Sequence, residues 1–305
     1  MLDHYTISTE GVQKSKQQGN WIVVTDPNDL EKDQLHKTYD LPKDFFVLGE
    51  KYFNVSYFKK YQAKNEKIFS LMMFVNIQSM DDPELTPSTI TVFLTPDVLI
   101  TVADQPLVQE VLQKYQTEIF TKAALILYML ETINEHYLIF LRQQREIIES
   151  ISDVASKRSN RDVLEKTTHT EKKLVYIDNL LNEQSKTINR LLDSKLVASD
   201  RDLAIQIELQ TKQATVSVQI YREMLGSISG LINSMMDNRL NQLMKFLNTA
   251  SLLLAMPTLI FSLWGINTGG LWWRHSEIGS IAVVLLALLV SIISGIYLFK
   301  KDYDA

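Results

Sequence analysis

Cysteine is absent from the 305-residue sequence, which excludes disulfides, thiolate metal sites and cysteine nucleophiles. The 10 glycines form neither a phosphate-binding loop nor a dinucleotide fingerprint, so no motif for ATP or a nicotinamide cofactor is present. The 5 histidines do not form a paired zinc motif. The nearest approach to a metal cluster is His136 beside Glu131 and Glu135. We therefore expect a protein that is not an enzyme and has no cofactor.

Long runs of one charge are also missing. The net charge is -5, and no lysine- or arginine-rich segment provides a surface for phosphates, so the sequence does not predict nucleic-acid binding. The first sixteen residues contain no apolar segment of the signal-peptide type. We expect the hydrophilic part of the chain to stay in the cytoplasm.

Two stretches near the C-terminal end carry no charged residue, namely 246–273 and 278–299. A membrane core takes roughly 20 helical residues, so each stretch is long enough to cross once. Basic residues flank the pair on both outer sides, and the connector holds only Arg274 beside Glu277. The positive-inside rule then predicts that both termini are cytoplasmic and that the connector is external.

The N-terminal part, residues 1–117, reads as a mixed α/β domain. β-Branched and apolar runs predict strands at 21–25, 67–78, 89–94 and 98–102, with turns at 81–83 and 95–97. Asn28 or Asp26 is suited to cap a helix over 29–39. We expect a modest sheet with covering helices.

Residues 118–240 are predicted to form long amphipathic helices. Apolar positions recur at helical spacing, and no glycine occurs from residue 118 to residue 225. Weak breaks near 156–161 and 198–200 divide them into two antiparallel helices and a third that continues into the membrane. The predicted order ends with a first span at 241–267, an external loop at 268–277, a second span at 278–299 and a cytoplasmic tail at 300–305. The fold class is thus an α+β membrane protein.

One face of the first span is made of small or polar side chains. Steps of three and four residues give the polar stripe, which consists of Asn241, Met244, Asn248, Ser251, Ala255, Thr258 and Ser262. Polar groups are costly against lipid, so the stripe should face protein or water. Tight helix packing by small residues is one interpretation. The full-length stripe favours a water-filled pathway, which needs several subunits because one helix cannot enclose a pore.

The outer end of this span carries Gly265, Ile266 and Asn267, followed by two glycines and two tryptophans. The tryptophans suit the membrane interface. A ring of Asn267 amide oxygens can hold a cation through its hydration water, and Mg²⁺ dehydrates reluctantly. The alternative is a helix cap or turn, to which asparagine and glycine are both suited.

These residues together resemble the CorA superfamily of magnesium channels. The likeness rests on Met256-Pro257 in the first of two terminal spans, the tripeptide ending in Asn267, the paired lysines at 300 and 301, and the order of domains. It implies a funnel-shaped homopentamer with an axial pore and a selectivity filter at Gly265, Ile266 and Asn267. The family register puts pore positions at Asn241, Met244, Leu247, Ser251, Ala255 and Thr258.

In that register Met244 and Leu247 form a hydrophobic gate that closes by dewetting. The family signature is Gly-Met-Asn, and Ile266 replaces its methionine. Outer-loop acids of the family have one counterpart here, Glu277. Family channels close when cytoplasmic Mg²⁺ bridges carboxylates, for which the candidates here are Asp200, Asp202 and Glu208, although Gln206 occupies the nearest matching position.

The resemblance implies potential-driven uptake of hydrated Mg²⁺, with Co²⁺ or Ni²⁺ as further cargo, across a bacterial plasma membrane. Relatives with an altered middle residue include members similar to zinc transporters, so zinc transport, with or without proton coupling, is the alternative. A second alternative is a membrane-anchored coiled-coil scaffold or sensor without transport.

Overall fold

The computed structural model describes residues 1–16, 19–41, 45–46, 55–62, 68–77, 87–157, 161–266 and 277–303. It divides into two compact units, residues 1–229 and residues 230–305. Two separate domains were predicted, residues 1–117 and 118–240. The first lies wholly and the second mostly within the first unit. Asp81 and its neighbours in the predicted 81–83 turn lie outside the described residues.

The first unit contains a seven-stranded sheet of order β2-β1-β3-β7-β6-β5-β4. Only β3 and β7 are parallel among the paired strands, and the other pairs are antiparallel. The strands are β1 (Leu2–Ser8), β2 (Gly11–Ser15), β3 (Trp21–Val24), β4 (Tyr57–Gln62), β5 (Ile68–Ile77), β6 (Pro87–Leu94) and β7 (Leu99–Val102).

The described helices are α1 (Asp29–Tyr39), α2 (Gln105–Tyr115), α3 (Lys122–Lys157), α4 (Arg161–Leu192), α5 (Arg201–Gly265) and α6 (Glu277–Tyr303), with a 3₁₀ turn at Lys195–Asp200. Helix α1 begins where the sequence predicts, because Asn28 and Glu31 form a reciprocal capping box. Helix α3 ends at Lys157, α4 begins at Arg161, and the 3₁₀ turn separates α4 from α5, close to the two predicted breaks. Helix α5 is a single helix of 65 residues.

Apolar side chains from both sides of the sheet form the core of the first unit. On one side, α1 covers a cluster that includes Ile22, Phe45, Leu71 and Phe93. On the other, α3 and α4 contact β4 and β5. Tyr137 of α3 is fully buried and donates to the carbonyl of Val75 at 3.1 Å, which ties this helix to the C-terminal half of β5.

Candidate functional site

Three helices in the described part of the chain are long and apolar enough to cross a membrane: α3, α5 and α6. They differ in what covers them. In α3, 72% of the most apolar stretch is buried inside the protein, against none in α5 and 17% in α6. Packing on the sheet therefore accounts for the apolar character of α3, which the sequence does not predict as a membrane span. The apolar ends of α5 and α6 have no such cover.

The polar stripe of α5 lies on an uncovered side of the helix. Ser251, Ala255, Thr258 and Ser262 are all exposed. They border a groove of about 800 Å³ that runs along this side and is completed by Leu254, Leu259, Leu263 and Ile266. The structure thus brings the four membrane-level members of the predicted stripe to one surface.

The opposite side of α5 packs against α6. Leu253 and Ile260 are half-buried there, and a Cβ added at Gly295 of α6 would lie 3.4 Å from Leu253 Cδ2. Leu253 follows Ser251 by two residues, which is about 200° around a helix. The second apolar helix therefore contacts the side of α5 that faces away from the polar stripe.

Small residues on α6 make this contact possible. Every fourth residue forms the small-residue ladder, which consists of Gly279, Val283, Ala287, Ser291 and Gly295. Ala287 is 1% exposed and Val283 is 8% exposed. Small side chains let two helices approach closely in a membrane. The four-residue spacing is visible in the sequence of the second span, whereas the polar stripe was predicted on the first span alone.

This arrangement separates two explanations of the polar stripe. Small residues that pack helices are present on α6, and α5 meets them with larger side chains such as Leu253. Within the part of the chain that the structure describes, Ser251, Ala255, Thr258 and Ser262 remain exposed and do not pack against another helix. The stripe is left to face either water or another subunit.

The N-terminal end of the stripe, residues 241–248, is exposed on every side of the helix. Asn241, Met244, Leu247 and Asn248 are all exposed, with Met244 at 50% and Leu247 at 55%. Helical spacing puts Asn248 on the pore-facing side, whereas the family register puts Leu247 there. Both side chains are exposed, so exposure does not distinguish the two registers. Met244 and Leu247 are large apolar side chains exposed within one turn of the helix. Such exposure favours a contact with a second molecule.

Two residues of the predicted tripeptide, Gly265 and Ile266, lie at the C-terminal end of α5 within the described part of the chain. Gly265 is the last residue of the helix, and the Ile266 N–H donates to the carbonyl of Leu263 at 3.4 Å. Asn267 and the rest of the connector through residue 276 lie outside the described residues. Glu277, predicted in the external loop, is the first residue of α6, where a carboxylate is favoured by the helix dipole.

Two of the three proposed regulatory acids border one cavity, and the third lies apart from it. Asp200 accepts from Ser199 Oγ at 2.6 Å and from Thr121 Oγ1 at 3.4 Å, and it borders a cavity of about 310 Å³ together with Asp202. Glu208 is exposed and does not line that cavity. Among the described residues, no group of three or more potential ligands has the geometry of a metal site.

His136, which the sequence places near Glu131 and Glu135, belongs to a hydrogen-bonded network with other partners. Its Nδ1 lies 2.9 Å from Asn76 Oδ1, and its Nε2 lies 2.9 Å from Glu110 Oε2. Lys114 bridges Glu110 and Glu135 at 2.7 Å each. Burial alone would lower the pKa of Lys114, but its hydrogen bonds to the two carboxylates raise it. The network fastens α2 to α3 and to β5.

Comparison with known proteins places these helices in a family. The family model described as "CorA-like Mg2+ transporter protein" matches residues 16–301. The chain belongs to the CorA family. Members of this family are membrane transporters of divalent cations, and the resemblance predicted from the sequence is confirmed.

Individual CorA relatives agree over nearly the whole chain. A cobalt/magnesium transport protein CorA from Methanocaldococcus jannaschii is 22% identical over 296 residues, covering 92% of this chain and 90% of the relative. The complete structure of the CorA magnesium transporter from that organism matches with a TM-score of 0.83 at 20% identity, covering 99% and 98%. The CorA fold, with both its soluble and its membrane part, is therefore confirmed.

A second solved structure has a related soluble part. The cytoplasmic domain of ZntB from Vibrio parahaemolyticus matches with a TM-score of 0.62 at 13% identity, covering 77% of this chain and 98% of that one. Proteins named for magnesium and for ZntB thus share this cytoplasmic fold. The family and the shared fold therefore leave the transported cation open.

Proposed function

We propose that this protein is a channel subunit that admits hydrated Mg²⁺, and also Co²⁺ or Ni²⁺, through a pore lined by the polar stripe of α5. The observation that carries the proposal is the placement of α6 on the far side of α5 from Ser251 and Thr258. A polar helix face left uncovered between two membrane surfaces is costly unless water or protein meets it. Several copies of α5 arranged around an axis would give this face both a water-filled pathway and neighbouring protein.

The driving force needs no ATP. An inside-negative potential of about 100 mV favours entry of a divalent ion by about 4.6 kcal/mol, twice the single-charge value. This is consistent with a sequence that has no phosphate-binding loop. Transport is passive and directed by the membrane potential.

Each end of the pathway has a proposed role. At the outer end, Gly265, Ile266 and Asn267 form the filter, in which a ring of Asn267 amides holds the hydrated ion. At the inner end, Met244 and Leu247 form a hydrophobic constriction. Water leaves such a constriction when it narrows, which stops conduction without a moving plug.

A homopentamer is the proposed assembly, and α5 supplies a surface for it within the first unit. One side of the helix is buried by α3 and α4, with Ala204, Ile207, Ala214 and Val218 at 5% exposure or less. The other side carries the exposed apolar stripe, which consists of Ile205 (47%), Leu209 (62%), Val216 (44%) and Ile220 (50%). Spacings of four and seven residues suit helix-to-helix packing between subunits.

In the proposed topology the chain crosses a bacterial plasma membrane twice, through the ends of α5 and α6, with both termini in the cytoplasm. Basic residues at 239, 245, 300 and 301 on the inner flanks support this orientation. Cytoplasmic Mg²⁺ is proposed to close the channel by bridging Asp200, Asp202 or Glu208 between subunits. Neutralising all three acids should then relieve block of the current by internal Mg²⁺, and unchanged block would remove this role.

Zinc transport is the second candidate, favoured by Ile266 in place of the family methionine and by the shared fold of the ZntB domain. Flux into proteoliposomes distinguishes the two. Mg²⁺, Co²⁺ and Zn²⁺ are offered in turn, with an inside-negative potential and with or without a pH gradient. Our proposal expects Mg²⁺ entry that follows the potential and ignores the pH gradient. Entry of Zn²⁺ alone, driven by the proton gradient, would establish the zinc transporter instead.

Replacement of Asn267 tests the filter and the scaffold alternative together. The Asn267→Ala variant should lose Mg²⁺ uptake while its assembled size in detergent is unchanged. A scaffold with a purely anchoring hairpin would tolerate apolar residues at Asn241, Asn248 and Asn267. Normal flux in the Asn267→Ala variant would contradict the proposed filter, and absence of any divalent flux in the unmodified protein would contradict the channel.

A further inference from the structure

The carboxyl ends of β3 and β7 border a cavity in the first unit. The two strands are parallel neighbours, and Val24 pairs with Val102 at the last position of each. After β3 the chain enters α1, which covers one side of the sheet, whereas after β7 it enters α2, which packs against α3 on the other side. Adjacent parallel strands whose connections leave on opposite sides open a crevice at their ends, which is the usual position of a ligand in such sheets.

The cavity at this edge has a volume of about 510 Å³, within the range of about 300–1,000 Å³ that is typical of small-molecule sites. It is bordered by the ends of β3 and β7, the start of β6 and the first turn of α1. Its polar lining residues are Asp26, Lys32, Ser88, Thr89, Thr91 and Asp104. A lining of this kind suits a small polar ligand.

Thr91 contributes a buried hydroxyl to this cavity. It alternates with Phe93 along β6, so both side chains lie on the α1 side of the sheet, where Phe93 joins the apolar core. Thr91 is 3% exposed, and its hydroxyl has no hydrogen-bond partner among the described residues. A buried hydroxyl without a partner costs free energy that a valine of similar shape would avoid. A ligand in the cavity can provide the missing partner.

Two carboxylates of the lining occupy equivalent positions beyond the sheet. Asp26 follows Val24 by two residues, as Asp104 follows Val102, and the two valines are paired. Among the residues that the structure describes, no third acidic or histidine side chain completes a metal site with this pair. A divalent ion such as Mg²⁺ or Ca²⁺ takes about six or more oxygen ligands. The pair is therefore better suited to the ammonium group of an organic ligand.

Lys32 brings the opposite charge to the same cavity. It is half-buried in the first turn of α1, and its ammonium has no ion-pair partner within the described part of the chain. The helix dipole opposes a positive charge near a helix N-terminus, so the fold alone does not favour lysine at this position. A carboxylate of a bound ligand would pair with Lys32 and offset this repulsion.

We infer that this cavity binds a small zwitterion with one ammonium and one carboxylate group, such as a free amino acid. The ammonium group binds Asp26 and Asp104, and the carboxylate accepts hydrogen bonds from Lys32 and Thr91. A ligand with only one of the two charges would displace water from the remaining charged side chains without replacing it, so tight binding requires both charges. The inference does not depend on the proposed channel, because the lining residues all belong to the first unit.

Isothermal titration calorimetry of the full-length protein in detergent tests the site, with each standard amino acid as a probe in turn. We expect saturable binding of at least one of them. Its methyl ester lacks the carboxylate charge, and its N-acetyl derivative lacks the ammonium charge. Each derivative should bind about tenfold or more weakly than the amino acid itself.

Charge-removing variants assign each end of the ligand. Lys32→Met keeps the apolar stem of the side chain and should bind the amino acid and its methyl ester equally. The double variant Asp26→Asn/Asp104→Asn should bind the amino acid and its N-acetyl derivative equally. Lys37→Met and Asp33→Asn are the matched controls, because both side chains are exposed on α1 and neither lines the cavity. They should keep the affinities of the unmodified protein.

Thr91→Val separates binding from folding. Valine removes an unpaired buried hydroxyl, so the ligand-free variant should unfold at the same temperature as the unmodified protein or at a higher one. Its affinity for the amino acid should nevertheless fall by about tenfold. A hydroxyl with a purely structural role would give the reverse, a lower unfolding temperature with unchanged affinity.

Two results would overturn the site. One is the absence of saturable binding by every standard amino acid, and the other is binding of the methyl ester and the N-acetyl derivative as tight as that of the amino acid. If Thr91→Val fails to fold, the variants of Lys32 and of the two aspartates decide, since none of these side chains is fully buried. An unchanged preference among the three ligands in both variants would then refute the assignment.

Discussion

Glu131 is a buried carboxylate at the contact between α3 and α5. It is 6% exposed, and its Oε1 accepts a hydrogen bond from Gln206 Nε2 of α5. Burial raises the pKa of Glu131, and the charge of Glu135 raises it further. The polar contact therefore joins α5 to α3 through a side chain whose charged form is disfavoured.

The sign of this shift predicts how Glu131 affects stability. A pKa raised in the folded state means that the folded protein favours the protonated form. The contribution of protonated Glu131 to the free energy of unfolding is present below its ordinary pKa of 4.5. It is lost as the pH rises through the pKa of the folded state. The permanently neutral Glu131→Gln variant should therefore unfold at a higher temperature than the unmodified protein at pH 7, with an advantage that shrinks toward pH 4.

Thermal unfolding of the detergent-solubilised protein across this pH range measures the effect. Glu146→Gln is the control, because Glu146 lies on the same helix with an exposed side chain. It should follow the unmodified curve. Coincident curves for Glu131→Gln and the unmodified protein at pH 7 would show that ionisation of Glu131 has no cost in the fold.

At the scale of elements, the α5–α6 pair determines which side of α5 is left uncovered. The contact of Leu253 with Gly295 has little spare room, since an added Cβ would lie at an ordinary van der Waals distance of 3.4 Å. Gly295→Ala should therefore be tolerated. Gly295→Leu should force the helices apart and destabilise the protein by about 1–3 kcal/mol, the usual cost of overpacking.

The loss is measured as a lower unfolding temperature of the assembled protein in detergent. A conservative change on the exposed side of α6, Ile296→Leu, provides the control, because Ile296 is 64% exposed. Equal unfolding temperatures for Gly295→Leu and Ile296→Leu would mean that the ladder does not hold the two helices together.

The elements were predictable where local chemistry dictates them. Helix α1 was predicted from its cap, and β3, β5, β6 and β7 from runs of β-branched and apolar residues. The strands β1, β2 and β4 were missed, since they carry polar side chains such as Lys14, Lys59 and Lys60, and β2 and β4 form the two edges of the sheet. Polar residues are common at sheet edges, where they prevent further pairing.

The candidate site was predictable from the sequence only as a pattern. The polar stripe follows from helical spacing, and Ser251, Ala255, Thr258 and Ser262 do share one surface. The side of α5 that α6 covers cannot be predicted from this spacing. It depends on the contact between Leu253 and Gly295, which are far apart in the sequence. Spacing along one helix contains no information about which face a second helix covers.

At the scale of the whole molecule, the exposed apolar stripe on α5 predicts how subunits associate. Leu209 and Ile220 are exposed in the single chain, so a charge there should leave the chain folded. Buried between subunits, the same charge would be costly. The double variant Leu209→Glu/Ile220→Glu should therefore lose the oligomer while keeping its helical circular dichroism.

Light scattering in detergent reports the assembled mass. Leu164→Glu on α4 is the matched control, since Leu164 is a 41% exposed leucine outside the stripe. It should leave the assembled mass unchanged. A Leu209→Glu/Ile220→Glu variant with the full oligomeric mass would exclude the stripe as a subunit interface.

The central claim is that the polar stripe of α5 lines a water-filled ion pathway. The absence of native cysteine allows a single one to be placed at will. Thr258→Cys lies on the stripe, and Ile260→Cys lies two residues on, on the half-buried side toward α6. We predict that a charged, water-soluble methanethiosulfonate reagent abolishes Mg²⁺ flux through the Thr258→Cys protein in liposomes and leaves the Ile260→Cys protein unaffected. Undiminished flux in the labelled Thr258→Cys protein, or equal block of both, would contradict the account.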